Sequence, residues 1–265
     1  MSPLMTIMFE TQDLEEASPA TVSRVGMVFV EQSRLGWKPF LMSWVQFELE
    51  EKYDDELRNH VRDLVLWIFP VMSDFALRNI DMPVPITKNE LIRSLLKLMS
   101  ILVKENNEVI LEKRSSPQVA LTEIFLFSLI WTIGAQTSTK GRQRFGIYLT
   151  RLLEGDLDGD DTYRTFAKKN PEWAVDIEHD FNRRLEMTLP WTAGDDTTPY
   201  DFCLDVSSGK WKPWMSLPEA KFRIEDGAEF NDIIVPTIDT VRQTRIMTTY
   251  ILSNTNVLCT GDTGT

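Results

Sequence analysis

Apolar residues recur at helical spacing through the middle of the chain, from Trp37 to about Leu153, and in short strand-like runs toward both ends. Pro39 to Lys52 alternates apolar and polar positions as a helix does. Asp54 and Asp55 can cap a second helix carrying Leu57, Val61, Leu64, Val65 and Ile68. Pro70, with no N–H to donate, is expected to end or kink it. Met82 to Pro85 (MPVP) reads as a linker, and Thr87 to Glu90 (TKNE) then spells a capping box. Behind that box Leu91, Leu95, Leu98 and Leu102, with Ile92, Leu96, Met99 and Val103, form a wide apolar stripe.

Val119 to Gly134 (VALTEIFLFSLIWTIG) is apolar nearly all round. It falls short of the roughly 20 residues that a bilayer span needs, and it carries Glu123. A helix apolar on every side is then the buried centre of a helical domain. Arg142 to Leu153 adds one more amphipathic helix, and together these segments predict a small all-helical bundle.

The ends have a different texture. Met5 to Thr11 reads as a strand, Ser18-Pro19 as the start of a helix about two turns long, and Met27 to Val30 as a return to strand. After Glu154 comes an acidic loop, and His179 to Pro190 reads as a short helix or irregular chain. Tyr200 to Val206 and Lys210 to Met215 flank Ser207-Ser208-Gly209 as a β-hairpin. Ile233 to Pro236 leads into a helix over roughly Ile238 to Leu252, and a short strand, Val257 to Thr260, runs into GDTGT. The fold class is α+β, mainly helical.

Composition removes several functions. The 265 residues carry 28 Lys and Arg against 40 Asp and Glu, a formal charge of −12, which argues against a nucleic-acid binder. At 43% hydrophobic residues a packed core is affordable, and disorder is not expected. Two cysteines, Cys203 and Cys259, and two histidines, His60 and His179, make neither a disulfide framework nor a zinc site. The N-terminus lacks the basic n-region of a signal peptide, so the chain reads as a soluble protein of a reducing compartment.

Candidate chemistry is sparse. Asp156, Asp158 and Asp160 occupy the first, third and fifth positions of a calcium loop, but Asp161 replaces the turn glycine and Ala167 the bidentate glutamate. A solvated loop is the better reading, and no metal site is expected. No Ser or Cys stands in a nucleophile motif. Two features rise higher. After a strand-like run, Gly261, Asp262, Thr263, Gly264 and Thr265 supply the first five positions of the phosphate-binding pattern G-x-x-x-x-G-K-[ST]; the bland alternative is a frayed Gly/Thr tail. Arg24 follows a short helix just before a strand. It is either a cation satisfying last-turn carbonyls or a finger offered across a boundary to a γ-phosphate.

The wording of these segments carries a resemblance. SPLMTIMFETQDLEEASPATVSRVGMVFV resembles dynein heavy chains at the end of the second AAA+ module of the motor ring. DIIVPTIDTVR followed by VLCTGDTGT is similar to the entry to the third module and its phosphate-binding loop. Between them LGWKPFLMSW, IFLFSLIWTIGA with GRQRF, and DFCLDVSSGKWKPW are similar to the helical small subdomain and its extension. The resemblance covers essentially the whole chain in one order, and its wording is closer to axonemal, inner-arm dyneins than to the cytoplasmic form.

It implies four parts. Residues 1–32 would end an AAA+ large subdomain, 33–155 would be the helical lid, 156–226 its extension with the hairpin, and 227–265 the start of the next module. Gln12 would stand where AAA+ proteins place a sensor residue. Arg24 would be the finger presented to ATP in the first module, and Gly261 to Thr265 would cradle phosphates in the third. The parent would use ATP and Mg²⁺, contact neighbouring AAA+ modules, intermediate and light chains and microtubules, and work in the cytoplasm and the axoneme of a cilium or flagellum. No membrane or nucleic-acid partner is implied.

The departures are specific. The chain has no Walker-A Lys and no Walker-B acidic pair, so on its own it is expected to bind no cofactor and hydrolyse nothing. Asp262 stands where the family's loop usually has Pro, and a carboxylate there repels phosphate. The rival reading is a free-standing helical interaction module whose terminal GDTGT is an accident.

Overall fold

The computed structural model describes residues 8–11, 13–28, 35–155, 157, 183–192, 197–222 and 235–258. The chain divides into two compact units, residues 1–35 and 36–265.

In the first unit, α1 (Pro19–Val22) is a single turn. Ser18 caps it by accepting the Thr21 N–H at 3.2 Å, and Pro19 occupies the first position, where no N–H is needed. It is half the length expected: the i→i−4 pattern ends at Ser23, and the Arg24 N–H turns to Thr21, three residues back, as the chain leaves toward Gly26. Met8–Thr11 and Met27–Val28 carry no ladder pairing among the described residues; the rest of the two expected strands, and Gln12, lie outside them.

The second unit is helical. α2 (Lys38–Phe47) stops short of the expected Lys52. Glu48, Glu50 and Glu51 would place carboxylates at the negative end of the helix dipole, and the chain turns so that Leu49 and Tyr53 enter the core. α3 (Asp55–Asn79) is capped by Asp54, which accepts the Leu57 N–H at 2.9 Å. It continues past Pro70, so the proline does not end it. Leu64, Val65 and the whole run from Trp67 to Asp74 are buried around that proline, and this burial outweighs one missing backbone bond. α4 (Lys88–Glu108) starts at the expected capping box: Glu90 accepts the Thr87 N–H at 2.7 Å and Thr87 accepts the Glu90 N–H at 3.4 Å. Its apolar stripe is buried throughout.

A π-helical turn (Val109–Lys113) leads to α5 (Pro117–Thr132), the buried central helix. Every residue from Ala120 to Ile130 is buried, including Glu123. α6 (Thr139–Glu154) closes the bundle, capped by Ser138 and ended by Gly155 in the left-handed conformation at φ 70°. Cross-ties fix the helices. Trp44 Nε1 donates to Ser100 Oγ at 2.6 Å between α2 and α4, and Phe75 stacks on Tyr148 at 3.9 Å between α3 and α6. Among the described residues no helix is long and apolar enough to cross a membrane.

The hairpin pairs β1 (Phe202–Asp205) with β2 (Lys210–Pro213), antiparallel, in the register Phe202↔Pro213 to Asp205↔Lys210. Gly209 takes φ 67°, which the turn requires. Asp205 accepts from Lys212 at 2.7 Å and from the Ser207 and Ser208 hydroxyls, and these bonds, Lys212 first, hold its carboxyl well below the usual range. α7 (Ile238–Leu252), capped by Thr237, packs against α4 and the short turns Trp214–Ser216 and Pro218–Ala220.

Candidate functional site

Arg24 lies just beyond α1 and is exposed. The last carbonyls of α1 are answered by backbone: the Ser23 N–H reaches Pro19 at 3.0 Å and the Arg24 N–H reaches Thr21 at 3.1 Å. The guanidinium itself makes no hydrogen bond or ion pair among the described residues. Satisfaction of last-turn carbonyls by the side chain is therefore not what the structure displays. Gly261 to Thr265, the acidic loop residues Asp156, Asp158, Asp160, Asp161 and Ala167, and also His179 and Cys259, lie outside the described residues.

His60 faces Thr122 across α3 and α5, with Nε2 at 2.9 Å from the hydroxyl. Thr122 spends its own hydrogen on the Gln118 carbonyl at 2.8 Å, so His60 Nε2 is the donor. Burial lowers the imidazole pKa, with the charge of Arg183 adding to that and Gln118 and Asp63 opposing it. Cys203 is buried, and burial pushes its thiol up to about 12, which makes it unreactive. Among the described residues no group of three or more His, Cys, Asp or Glu could hold a metal. A cleft of about 360 Å³ runs between α6 and residues 184–192, walled by Thr150, Leu153, Arg184, Met187 and Trp191.

Two buried constellations went unread in the sequence. The first centres on Arg114, in the loop before α5. Its guanidinium sits 2.8 Å from the Glu123 carboxylate and donates to the Val206 carbonyl at 3.0 Å, tying the hairpin to the central helix. Burial raises the Glu123 pKa, and Arg114 works against that rise.

The second is the turn Pro199–Asp201, between the bundle and the hairpin. Pro199 lies over Gly146 of α6, and Tyr200 over Gly134 at the end of α5, in notches that a Cβ would fill. The Tyr200 hydroxyl donates to the Gly134 carbonyl at 2.7 Å, and Trp214 Nε1 donates to the Tyr200 carbonyl at 2.9 Å. Asp201 divides its carboxylate. Oδ2 accepts the Thr198 N–H at 2.7 Å and hydroxyl at 2.9 Å, while Oδ1 accepts from Arg242 of α7 at 2.9 Å. Arg242 also reaches Asp239 at 3.3 Å and is buried, whereas the neighbouring pair Arg245–Glu219, at 3.0 Å, is exposed.

Comparison with known proteins joins these parts. The profile of the family described as the dynein heavy chain AAA lid domain matches residues 61–216, and that of the P-loop containing dynein motor region matches residues 222–265. Human dynein axonemal heavy chain 3 is 29% identical over the whole chain, and human dynein axonemal heavy chain 1 is 32% identical, again over the whole chain. The dynein-1-alpha heavy chain of the flagellar inner arm I1 complex of Chlamydomonas reinhardtii is 29% identical over 98% of the chain. This chain spans 6% of the length of the two human relatives and 5% of the algal one.

Proposed function

The chain belongs to the dynein heavy chain family, axonemal in its similarities, and we propose that within such a heavy chain it joins two AAA+ modules of an ATP-driven, minus-end-directed microtubule motor. One observation carries this reading: the lid match is followed directly, in the same chain, by the match to a P-loop motor region. In this reading residues 1–32 close the second module's large subdomain, 33–155 form its lid, 156–226 extend it, and 227–265 open the third module.

Arg24 is the finger this segment offers to ATP held by the first module. Its exposed guanidinium, uncommitted among the described residues, supports that role. A finger stabilises charge on the phosphoryl group in flight and contributes roughly 10³–10⁵ in rate. Gly261 to Thr265 begin the phosphate cradle of the third module, with Asp262 weakening its hold on nucleotide. ATP and Mg²⁺ serve the parent, which works with its intermediate and light chains on microtubules in an axoneme. The segment alone, without a Walker-A Lys or a Walker-B pair, is inactive.

The test is ATP turnover by a heavy chain carrying this segment. Arg24→Ala should cut microtubule-stimulated turnover by orders of magnitude while nucleotide binding survives. Unchanged turnover overturns the finger assignment.

A further inference from the structure

We propose that Asp201 is the positioning residue of the junction between the lid and the following module, holding α7 in place only while the turn Thr198–Asp201 is closed. The proposal rests on the reading above, in which α7 belongs to that module. Its own support is geometric, and it begins with how the turn is seated.

Pro199 and Tyr200 enter notches that exist because Gly146 and Gly134 have no side chain. The Tyr200 ring is buried, its hydroxyl bonds the Gly134 carbonyl just past the end of α5, and its carbonyl is held by Trp214. The turn is thus fixed to the bundle on one side and to the chain after the hairpin on the other. Asp201 follows at once, and neither carboxylate oxygen is idle. Turn closure aims Oδ1 at Arg242, and Arg242 in return screens the charge that closes the turn.

Other ties to α7 are weaker in kind. Arg245–Glu219 has both side chains about half exposed, at 52% and 49%, where an ion pair contributes little. Arg142–Asp239 is at 3.9 Å, the outer edge of an ion pair. Arg242, with its side chain 11% exposed, is the cation for which loss of a partner matters, because without Asp201 a nearly buried charge keeps only Asp239, an exposed carboxylate of its own helix at 3.3 Å. An asparagine at position 201 cannot do both tasks. If its oxygen faces Thr198, its NH₂ faces the guanidinium, donor against donor.

Hydrogen exchange of the intact chain tests this, reading the α7 amides against those of α5 as a control for the fold. Asp201→Asn and Arg242→Ala should each raise α7 exchange about tenfold with α5 unchanged, and the double variant should be no worse than either single one. Thr198→Ala, which removes only a hydroxyl on the far side of the carboxylate, should loosen α7 by a smaller factor. Unchanged α7 exchange in Asp201→Asn and Arg242→Ala overturns the proposal, as do fully additive effects. Should either of those variants unfold α5 as well, Thr198→Ala decides alone: faster α7 exchange supports the proposal, and unchanged exchange overturns it. Motor activity does not enter this readout, so the junction and the finger can fail separately.

Discussion

Arg114 and Glu123 meet at 2.8 Å inside the helical domain, both nearly out of reach of solvent, and the same guanidinium holds the Val206 carbonyl of the hairpin. Removing one member of such a pair leaves the other charged and buried. Arg114→Ala should therefore destabilise the chain by about 3–5 kcal/mol in denaturant unfolding. Glu123→Gln also leaves Arg114 charged and buried, but its amide oxygen can still accept from the guanidinium, so it should cost less than Arg114→Ala. Replacing both by apolar residues of similar volume should recover most of the loss. A single Arg114→Ala variant as stable as the parent contradicts the pairing.

Gly209 is placed so that Arg114 can lie against it. Its φ of 67° is strained for any other residue, and a Cβ there would run into the guanidinium. Gly209→Ala should cost about 1–3 kcal/mol, combining backbone strain with displacement of Arg114. In an Arg114→Ala background the same change should cost clearly less, because only the backbone part remains. Equal costs in both backgrounds would show that the contact carries no energy.

His60 makes stability depend on pH. Its folded pKa is lowered by burial, so the unfolded chain takes up a proton more readily than the folded one. The stability it contributes is fully present above the ordinary histidine value, near about 6.5, and is lost as pH falls through the depressed folded value. His60→Gln, which keeps a donor toward Thr122, should flatten that part of the stability–pH curve. A variant curve as steep as the parent's contradicts the assignment.

The isolated chain should bind no nucleotide, since phosphate capture needs the Lys that its sequence lacks. Titration with a fluorescent ATP analogue and Mg²⁺ should show no saturable signal at millimolar concentration. Saturable binding would favour a complete nucleotide site within the chain.

Features with local causes were legible in the sequence. The Thr87–Glu90 box, the cap at Asp54, the turn at Gly209 and the α7 helix each depend on residues a few positions apart, and each appears where expected. That the helix would continue past Pro70 was not legible, because the local rule knows nothing of the apolar shell around it. The end of α2 was misread because Leu49 and Tyr53 turn inward for the sake of partners elsewhere. Arg114–Val206 and Asp201–Arg242 are 92 and 41 residues apart, so spacing carries no trace of them. The Ser116, Ser138 and Thr198 caps could have been found, since each is a Ser or Thr just ahead of a helical turn. Arg24 drew notice in the sequence as a cation just after a short helix, and the structure adds only that it is exposed and makes no ion pair among the described residues.

The central claim is that this segment joins two modules of a much longer motor chain. Peptide sequencing of the endogenous polypeptide that contains it tests this most directly. The account predicts peptides continuous with both ends, in a chain many times longer than 265 residues, with Gly-Lys-Ser or Gly-Lys-Thr following Thr265. An endogenous polypeptide that stops at Thr265, or continues without that lysine, would contradict it.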